Sequence, residues 1–346
     1  MNSPDLSRTT TSAPPTTMRA MVLEQFGTDL APRVVARPVP GTGQVLVRVA
    51  ASAVNPLDLK IKLGEAAHAQ VVTPAVLGID LAGTVVELGP GVDRFDIGDE
   101  VYGMTGGVGN NQGSLAEYAA VDSRLIAIKP ARLSMTEAAA LPLAVITAWE
   151  GLIDRAGVRP GQTVLVHGGA GGVGHIAVQL ARARGAVVYA TGRGSADLDL
   201  IRGYGAQPID AHTPAQEYVA SMTGGAGFDV IFDTIGGATL DASFGAVRRY
   251  TGHVVSILGW GSHSLAPLSF RGATYSGVFT LLPLLSGEGR AHHGEILAAV
   301  GEIIDTGALT PRVDETTYGW TTVHRAHQAV ESGTARGKVV VDLTRD

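Results

Sequence analysis

The sequence predicts an α/β chain in which a doubly wound parallel sheet of the Rossmann type interrupts a smaller, barrel-like domain of short strands. Three observations carry this expectation. Residues 164–180 (VLVHGGAGGVGHIAVQL) pass from a β-branched apolar strand through a Gly-x-Gly-x-x-Gly turn into apolar residues at helical spacing. Beyond residue 160, strand-like and helix-like stretches alternate, the pattern of a parallel sheet with crossover helices. Ahead of residue 130, short alternating runs follow one another with close turn signals and no helical spacer, the pattern of a small barrel.

The bulk properties narrow the function classes. A chain of 346 residues can bury two cores. Its net charge of −6 and pI of about 5.9 give no basic field for nucleic acid or an anionic membrane. Cysteine is absent, which excludes disulfides, thiol nucleophiles and cysteine-ligated zinc, and makes a reducing cytoplasm the expected compartment. No run of 18 apolar residues predicts a membrane span.

Taken in order, residues 1–17 are rich in Thr, Ser and Pro without an apolar stretch, and read as a disordered leader. Strands are expected at 20–23, 45–49, 81–88, 100–102 and 115–121, with the segment 113–118 part of the last. A single helical stretch, 135–151, leads into the alternating region. Strands are predicted there at 163–167, 187–191, 229–233 and 253–258, followed by helices near 295–305 and 322–332. A final strand, 338–343, needs a sheet to join, and the N-terminal barrel is its natural host.

The glycine turn has a physical reading of its own. Gly169 permits the tight turn, Gly171 lets backbone N–H groups approach a pyrophosphate, and Gly174 lets helix and strand pack closely. The following helix N-terminus adds partial positive charge for an anion. The second strand of this region ends in Thr191, Gly192, Arg193, Gly194 and Ser195. An acidic residue there grips a ribose 2′-OH, whereas an arginine suits a 2′-phosphate and so favours NADPH over NADH. Asp197 and Asp199 belong to the next helix. His292, His293 and Glu295 are the one cluster with metal-ligand chemistry, but adjacent helical residues project about 100° apart and do not readily share an ion.

Beyond these patterns the chain resembles the medium-chain dehydrogenase/reductase superfamily, in its zinc-independent quinone oxidoreductase and enone reductase branch. The resemblance runs from about residue 18 to 343. It rests on VNPLDLKIKLG (54–64), GIDLAG (78–83), GDEVYG (98–103), LPL (141–143) with TAW (147–149), GGAGGVG (168–174), DTIGG (233–237) and ARGK (335–338). It implies a GroES-like substrate domain, residues 18–142 and 283–346, interrupted by a Rossmann NADPH-binding domain, residues 143–282. Zinc dehydrogenases of the superfamily carry a cysteine where Asn55 stands and Gly-His-Glu where Gly78, Ile79 and Asp80 stand, so catalytic zinc lacks its usual ligands here. Without that Lewis acid, a quinone or an activated C=C is a better hydride acceptor than a simple ketone.

By the same resemblance the catalytic candidates are Lys60, Asn55 and Thr147. Lys60, at a position where other quinone reductases have tyrosine, would bind the carbonyl oxygen as negative charge develops, or else position the cofactor. Cofactor contacts are expected from Asn55, Thr147, Gly169, Ala170, Gly171, Gly172, Val173, Thr191, Arg193 and Ser195. Further along they come from Asp233, Thr234, Ile235, Leu258, Gly259, Val278, Phe279, Thr280, Arg336 and Lys338. Many relatives carry a phosphate-contacting tyrosine where Ala211 stands, so Arg193 and Ser195 must supply that contact. Asp58 is read as an N-terminal helix contact, His167 as a packed imidazole, and Tyr102 and Tyr118 as core or cleft-wall residues.

The function expected is NADPH-dependent hydride transfer to a small-molecule quinone or enone, by a homodimer with no nucleic-acid or membrane partner. Its edge is sought in the β-rich segment 275–282. Two alternatives stand beside it: a cofactor-binding member acting in a redox-neutral biosynthetic step, and an enoyl reductase working on a carrier-tethered acyl chain.

Overall fold

The computed structural model describes residues 15–346, so most of the expected leader lies outside the described residues. The chain opens with β1 (Thr17–Leu23), β2 (Ala31–Ala36), β3 (Gln44–Val54), α1 (Pro56–Leu63), β4 (Ala75–Val76), β5 (Asp80–Leu88), β6 (Glu100–Met104), β7 (Tyr118–Asp122) and β8 (Ile126–Ile128). The central strand is β3, which pairs antiparallel with β5 and β7; β1 joins β2 and β4 in a smaller sheet. Val45, Val47 and Val49 of β3 pack in one buried layer with Val85, Val101 and Val121, and a register shift between Val49 and Ala51 turns Ala51 and Ala53 to the other.

Two local expectations change. Residues 113–117 do not extend a strand, which begins only at Tyr118. Gly113 lies against the Leu77 backbone and Ser114 turns inward to donate to the Asp80 carbonyl at 2.8 Å, so this piece is a strap packed against the approach to β5. The stretch 135–151 is two helices, α2 (Met135–Ala139) and α3 (Pro142–Trp149), with a π turn at Glu150–Arg155. Pro142 lacks the N–H that would continue α2, and starting a new helix at that residue satisfies it.

The second sheet comprises β9 (Thr163–His167), β10 (Val187–Gly192), β11 (Gln207–Asp210), β12 (Val230–Asp233), β13 (His253–Ser256) and β14 (Thr274–Gly277), all parallel. Its order, β11-β10-β9-β12-β13-β14, reverses direction beside β9, so the carboxyl end of β9 lies at the switch point where such sheets bind ligands. Helices α4 (Gly174–Ala183), α5 (Gly194–Gly203), α6 (Ala215–Thr223), α7 (Gly237–Ala246) and α8 (Ala266–Ser269) connect the strands. In α4 the residues Ile176, Ala177, Val178 and Leu180 are all buried, and Gly185 in the left-handed region follows its end.

The chain then returns. Helices α9 (Leu282–Ser286) and α10 (Arg290–Asp305) follow, and the Tyr102 hydroxyl donates to the Leu297 carbonyl at 2.7 Å, tying α10 to the first body. After α11 (Val323–Glu331), β15 (Val339–Asp342) pairs antiparallel with β3, so the last strand completes the first sheet. No helix among the described residues is long and apolar enough to cross a membrane.

A Cβ at Gly174 would meet the Gly168 carbonyl carbon at 2.8 Å and the Gly169 Cα at 3.0 Å, so turn and helix approach only because this residue has no side chain. Gly174→Ala is expected to destabilise the fold by about 1–3 kcal/mol, the ordinary cost of overpacking. The check is a lower urea midpoint with an unchanged slope.

Candidate active site

A cleft of about 850 Å³ runs between the two sheets, from the end of β10 to the start of α1. The middle of its floor is the glycine turn. Ala170, Gly171, Gly172 and Val173 line the cleft and the N-terminus of α4 faces it, a place where backbone N–H groups and the helix dipole favour an anion. Gly169 lies behind the turn: its N–H donates to the Thr191 carbonyl at 2.8 Å, and a Cβ there would meet the Ala190 Cβ at 2.5 Å. Gly169 therefore serves packing of the strand against α5 rather than the cleft surface.

At one end of the cleft stand Thr191, Arg193, Ala211, His212 and Thr213. The parallel register pairs Gly192 with Asp210, so Arg193 and His212 both line this end of the cleft just beyond adjacent strand ends. The Arg193 backbone N–H is held by Asp197 Oδ2 at 3.0 Å, and its side chain is exposed. Ser195 is exposed in the first turn of α5 and does not line the cleft. His212 carries no signal in the sequence, because one histidine in an irregular turn has no spacing to read.

The other end has a buried polar floor. Asn55 Nδ2 donates to Asp80 Oδ2 at 3.0 Å, and the Lys338 ammonium donates to Asn55 Oδ1. Asp80 Oδ1 accepts the Leu143 N–H at 2.9 Å, so the same carboxylate caps α3, while Lys338 Nζ sits 3.9 Å from Asp80 Oδ2. The Asp58 carboxylate accepts the Asn55 N–H at 2.8 Å across the first turn of α1, the helix contact expected of it. Burial pushes the Asp58 carboxyl up to about 7 and the Asp80 carboxyl up to about 6, although Lys338 and the hydrogen-bond donors oppose this. Burial lowers Lys338, and the two carboxylates oppose that shift. Gly172 leaves room for the Lys338 stem, whose Cδ a Cβ there would approach to 3.4 Å.

Lys60 lies at the rim, exposed and lining the cleft, while Lys62 turns away to Asp29 at 3.0 Å. Thr147 is buried and lines the cleft too, with its hydroxyl donating to the Leu143 carbonyl at 2.6 Å. That leaves its lone pairs, and no proton, for anything in the cleft. Thr234, Ile235, Leu258, Val278, Phe279 and Thr280 line the far wall.

Three more of the expected contact residues lie outside the lining. Asp233 is fully buried and accepts from the N–H groups of Ile235 and Gly236, each at 3.1 Å, and from the Ser256 hydroxyl at 2.7 Å; it builds the turn on which Thr234 and Ile235 stand. Gly259 is exposed outside the lining, with the Tyr275 hydroxyl in the place a side chain would take. Arg336 is exposed and donates through its backbone N–H to Asp314 at 2.7 Å. His167 is buried at the end of β9, and desolvation lowers it to about 4, so it is a neutral imidazole in the physiological range. His292 and His293 part, as their helical angle requires, toward Asp154 at 2.8 Å and Glu150 at 3.2 Å.

Residues 41–131 match the alcohol dehydrogenase GroES-like domain, and residues 204–341 match the zinc-binding dehydrogenase family. A 2-methylene-furan-3-one reductase of Solanum lycopersicum is 36% identical, covering 89% of this chain and 74% of its own length. The chain belongs to the medium-chain dehydrogenase/reductase superfamily. An NADPH-dependent alkenal/one oxidoreductase of Arabidopsis thaliana is 34% identical, over 86% of this chain and 72% of its own. The solved structure of an alcohol dehydrogenase superfamily protein from Novosphingobium aromaticivorans is 55% identical with a TM-score of 0.93, covering 94% of this chain and 100% of that one. This member of the superfamily is thus an oxidoreductase, in which a GroES-like body meets a parallel nucleotide-binding sheet.

The raised carboxyl of Asp58 has a consequence for stability. Its folded value of about 7 lies above the model-peptide 3.8, so the folded state binds more protons than the unfolded between those values. That contribution is most favourable below about pH 4 and is lost as pH rises through 7. An Asp58→Asn variant keeps an oxygen for the Asn55 N–H but does not titrate. Its stability relative to wild type should therefore improve as pH rises from 4 to 8, read from paired urea titrations; a flat difference would assign the carboxyl an ordinary value.

Proposed function

We propose that the chain is an NADPH-dependent, zinc-independent reductase that places a hydride on the C=C of an α,β-unsaturated carbonyl. The observation that carries this reading is the buried floor of Asn55, Asp80 and Lys338 beneath a cleft whose upper walls are apolar. The names of the tomato and Arabidopsis relatives, a furanone reductase and an alkenal/one oxidoreductase, support it.

Zinc does not fit this floor. The Asn55 amide is committed to Asp80 and Lys338, the Asp80 carboxylate to Asn55 and the Leu143 N–H, and an ammonium occupies the neighbourhood a cation would need. No thiolate exists in the chain, and the described residues hold no group of three His, Cys, Asp or Glu placed for a metal.

NADPH does fit. Gly171 and Gly172 present bare backbone to the cleft at the α4 N-terminus, and Arg193 with His212 offers cationic or donor groups for a 2′-phosphate at the far end. Bound there, NADPH supplies the hydride. Thr147, able only to accept, suits a carboxamide N–H, and Lys338 with Asn55 forms the polar floor below. Lys60 at the rim offers an ammonium to the carbonyl oxygen of the acceptor as that oxygen gains charge. In this reading residues 143–282 carry the cofactor and residues 18–142 with 283–346 carry the acceptor, and two copies join through the open β14 edge of the parallel sheet.

Consumption of NADPH and NADH, followed by absorbance against 2-alkenals, cyclic enones and quinones, tests the reading. The expected result is rapid NADPH oxidation with a saturated ketone or aldehyde as product; tight NADPH binding with no acceptor consumed overturns it. Arg193→Ala should weaken NADPH binding by about 10- to 100-fold, the loss of a charge-assisted contact, with NADH binding unchanged. Lys60→Ala should lower turnover of enones by at least about tenfold while NADPH affinity holds. Equal losses in both would make Lys60 a cofactor-positioning residue.

A further inference from the structure

Three aromatic rings meet at the mouth of the cleft, and none belongs to the cofactor-binding turn. His68 sits in a 3₁₀ turn (Ala67–Ala69) between α1 and β4; Trp260 sits in the irregular segment after β13; Phe279 follows β14. All three line the cleft. The His68 and Trp260 rings stack with centroids 5.4 Å apart and planes inclined by 28°. Phe279 stands edge-on to both, at 5.9 Å from His68 and 6.4 Å from Trp260. The pair bridges the cleft, since one ring comes from the GroES-like body and the other from the nucleotide-binding sheet.

Phe279 packs against the core from its edge, but His68 and Trp260 contribute little to it. Trp320 is 8% exposed and its indole N–H donates to the Leu343 carbonyl, whereas Trp260 is 56% exposed and its indole N–H has no partner among the described residues. His68 is exposed as well. Trp260 lies between Gly259 and Gly261, the latter in the left-handed region, while its carbonyl is held 3.2 Å from His263, which pairs in turn with Asp241 at 2.8 Å. The backbone is tethered and the ring stands in solvent, an arrangement that serves a ligand rather than the fold.

We propose that His68, Trp260 and Phe279 form an aryl-binding subsite, so that the acceptor is an enone or enal carrying a flat aromatic ring. The assignment rests on the reductase reading and gives its substrate class. A planar ring entering the mouth stacks on the indole face and meets the Phe279 edge, the geometry that aromatic quadrupoles favour. A flexible alkyl chain of equal size gains the same desolvation without that geometry and loses more rotational freedom.

The test uses saturated ketones, which bind but offer no C=C to reduce. 4-Phenylbutan-2-one and decan-2-one, equal in heavy atoms, are titrated in the presence of NADP⁺ into the full-length wild type and into Trp260→Leu and His68→Leu. Binding is followed by calorimetry and by tryptophan fluorescence. The phenyl ketone should bind the wild type about tenfold more tightly than the alkyl ketone and quench the exposed indole, and the ratio should fall toward one in Trp260→Leu. Melting temperature and NADPH affinity of each variant check that it is folded. Absence of binding, equal binding of the two ketones to the wild type, or a preference untouched by both substitutions overturns the subsite. A phenyl preference without turnover of any enone would keep the subsite and remove the reductase reading, whereas enone turnover without the preference would do the reverse.

Discussion

The structure depends on one buried contact among groups far apart in sequence. Asn55 leads into α1, Asp80 opens β5, Leu143 stands in the first turn of α3 and Lys338 precedes β15, and a few hydrogen bonds hold all four at the floor of the cleft. A buried carboxylate or ammonium alone would be costly, and here each offsets the desolvation of the other only while the amide between them stays in place. Registry follows. The amide fixes where α1 starts, the carboxylate fixes where α3 starts, and the ammonium brings the final strand into contact with the glycine turn.

On the proposed reading one cleft serves two partners, and its two sides are built differently. Its cofactor side is built from backbone: a glycine turn, a helix N-terminus and the ends of parallel strands, all rigid because Gly169, Gly174 and Asp233 are locked in packing or in turn hydrogen bonds. The proposed acceptor side is built from side chains, Lys60 on α1 and the rings of His68, Trp260 and Phe279 outside the strands, where replacement changes shape without disturbing a sheet. The division is that of a scaffold with its specificity on loops.

The same division sets what was legible in the sequence. The parallel strands and the glycine turn were legible because their signals are local: β-branched runs, then glycine, then helical spacing. The pairing of the last strand with the first body was legible because 338–343 had no neighbour to pair with in its own region. The helix break at Pro142 was missed because the apolar spacing continues across it, although the proline itself was the available signal. The segment 113–118 alternates like a strand, and the tertiary hydrogen bonds of Ser114, which donates to the Asp80 carbonyl and accepts from the Ser52 hydroxyl, override that pattern.

Within the site, resemblance placed Asn55, Lys60, Thr147 and Lys338 in one cleft, and the geometry brings them there. It did not reveal that Asp80 joins Asn55 to Lys338, since a buried carboxylate is written in no spacing. His68, His212 and Trp260 were silent for a further reason. Each is a single aromatic or imidazole side chain in a turn, and only the crossing of two bodies makes neighbours of residues separated by nearly two hundred positions. On the proposed reading the hydride step and the choice of acceptor therefore draw on different parts of the chain, the first on the buried floor with Lys60 above it and the second on the aromatic rim of His68, Trp260 and Phe279.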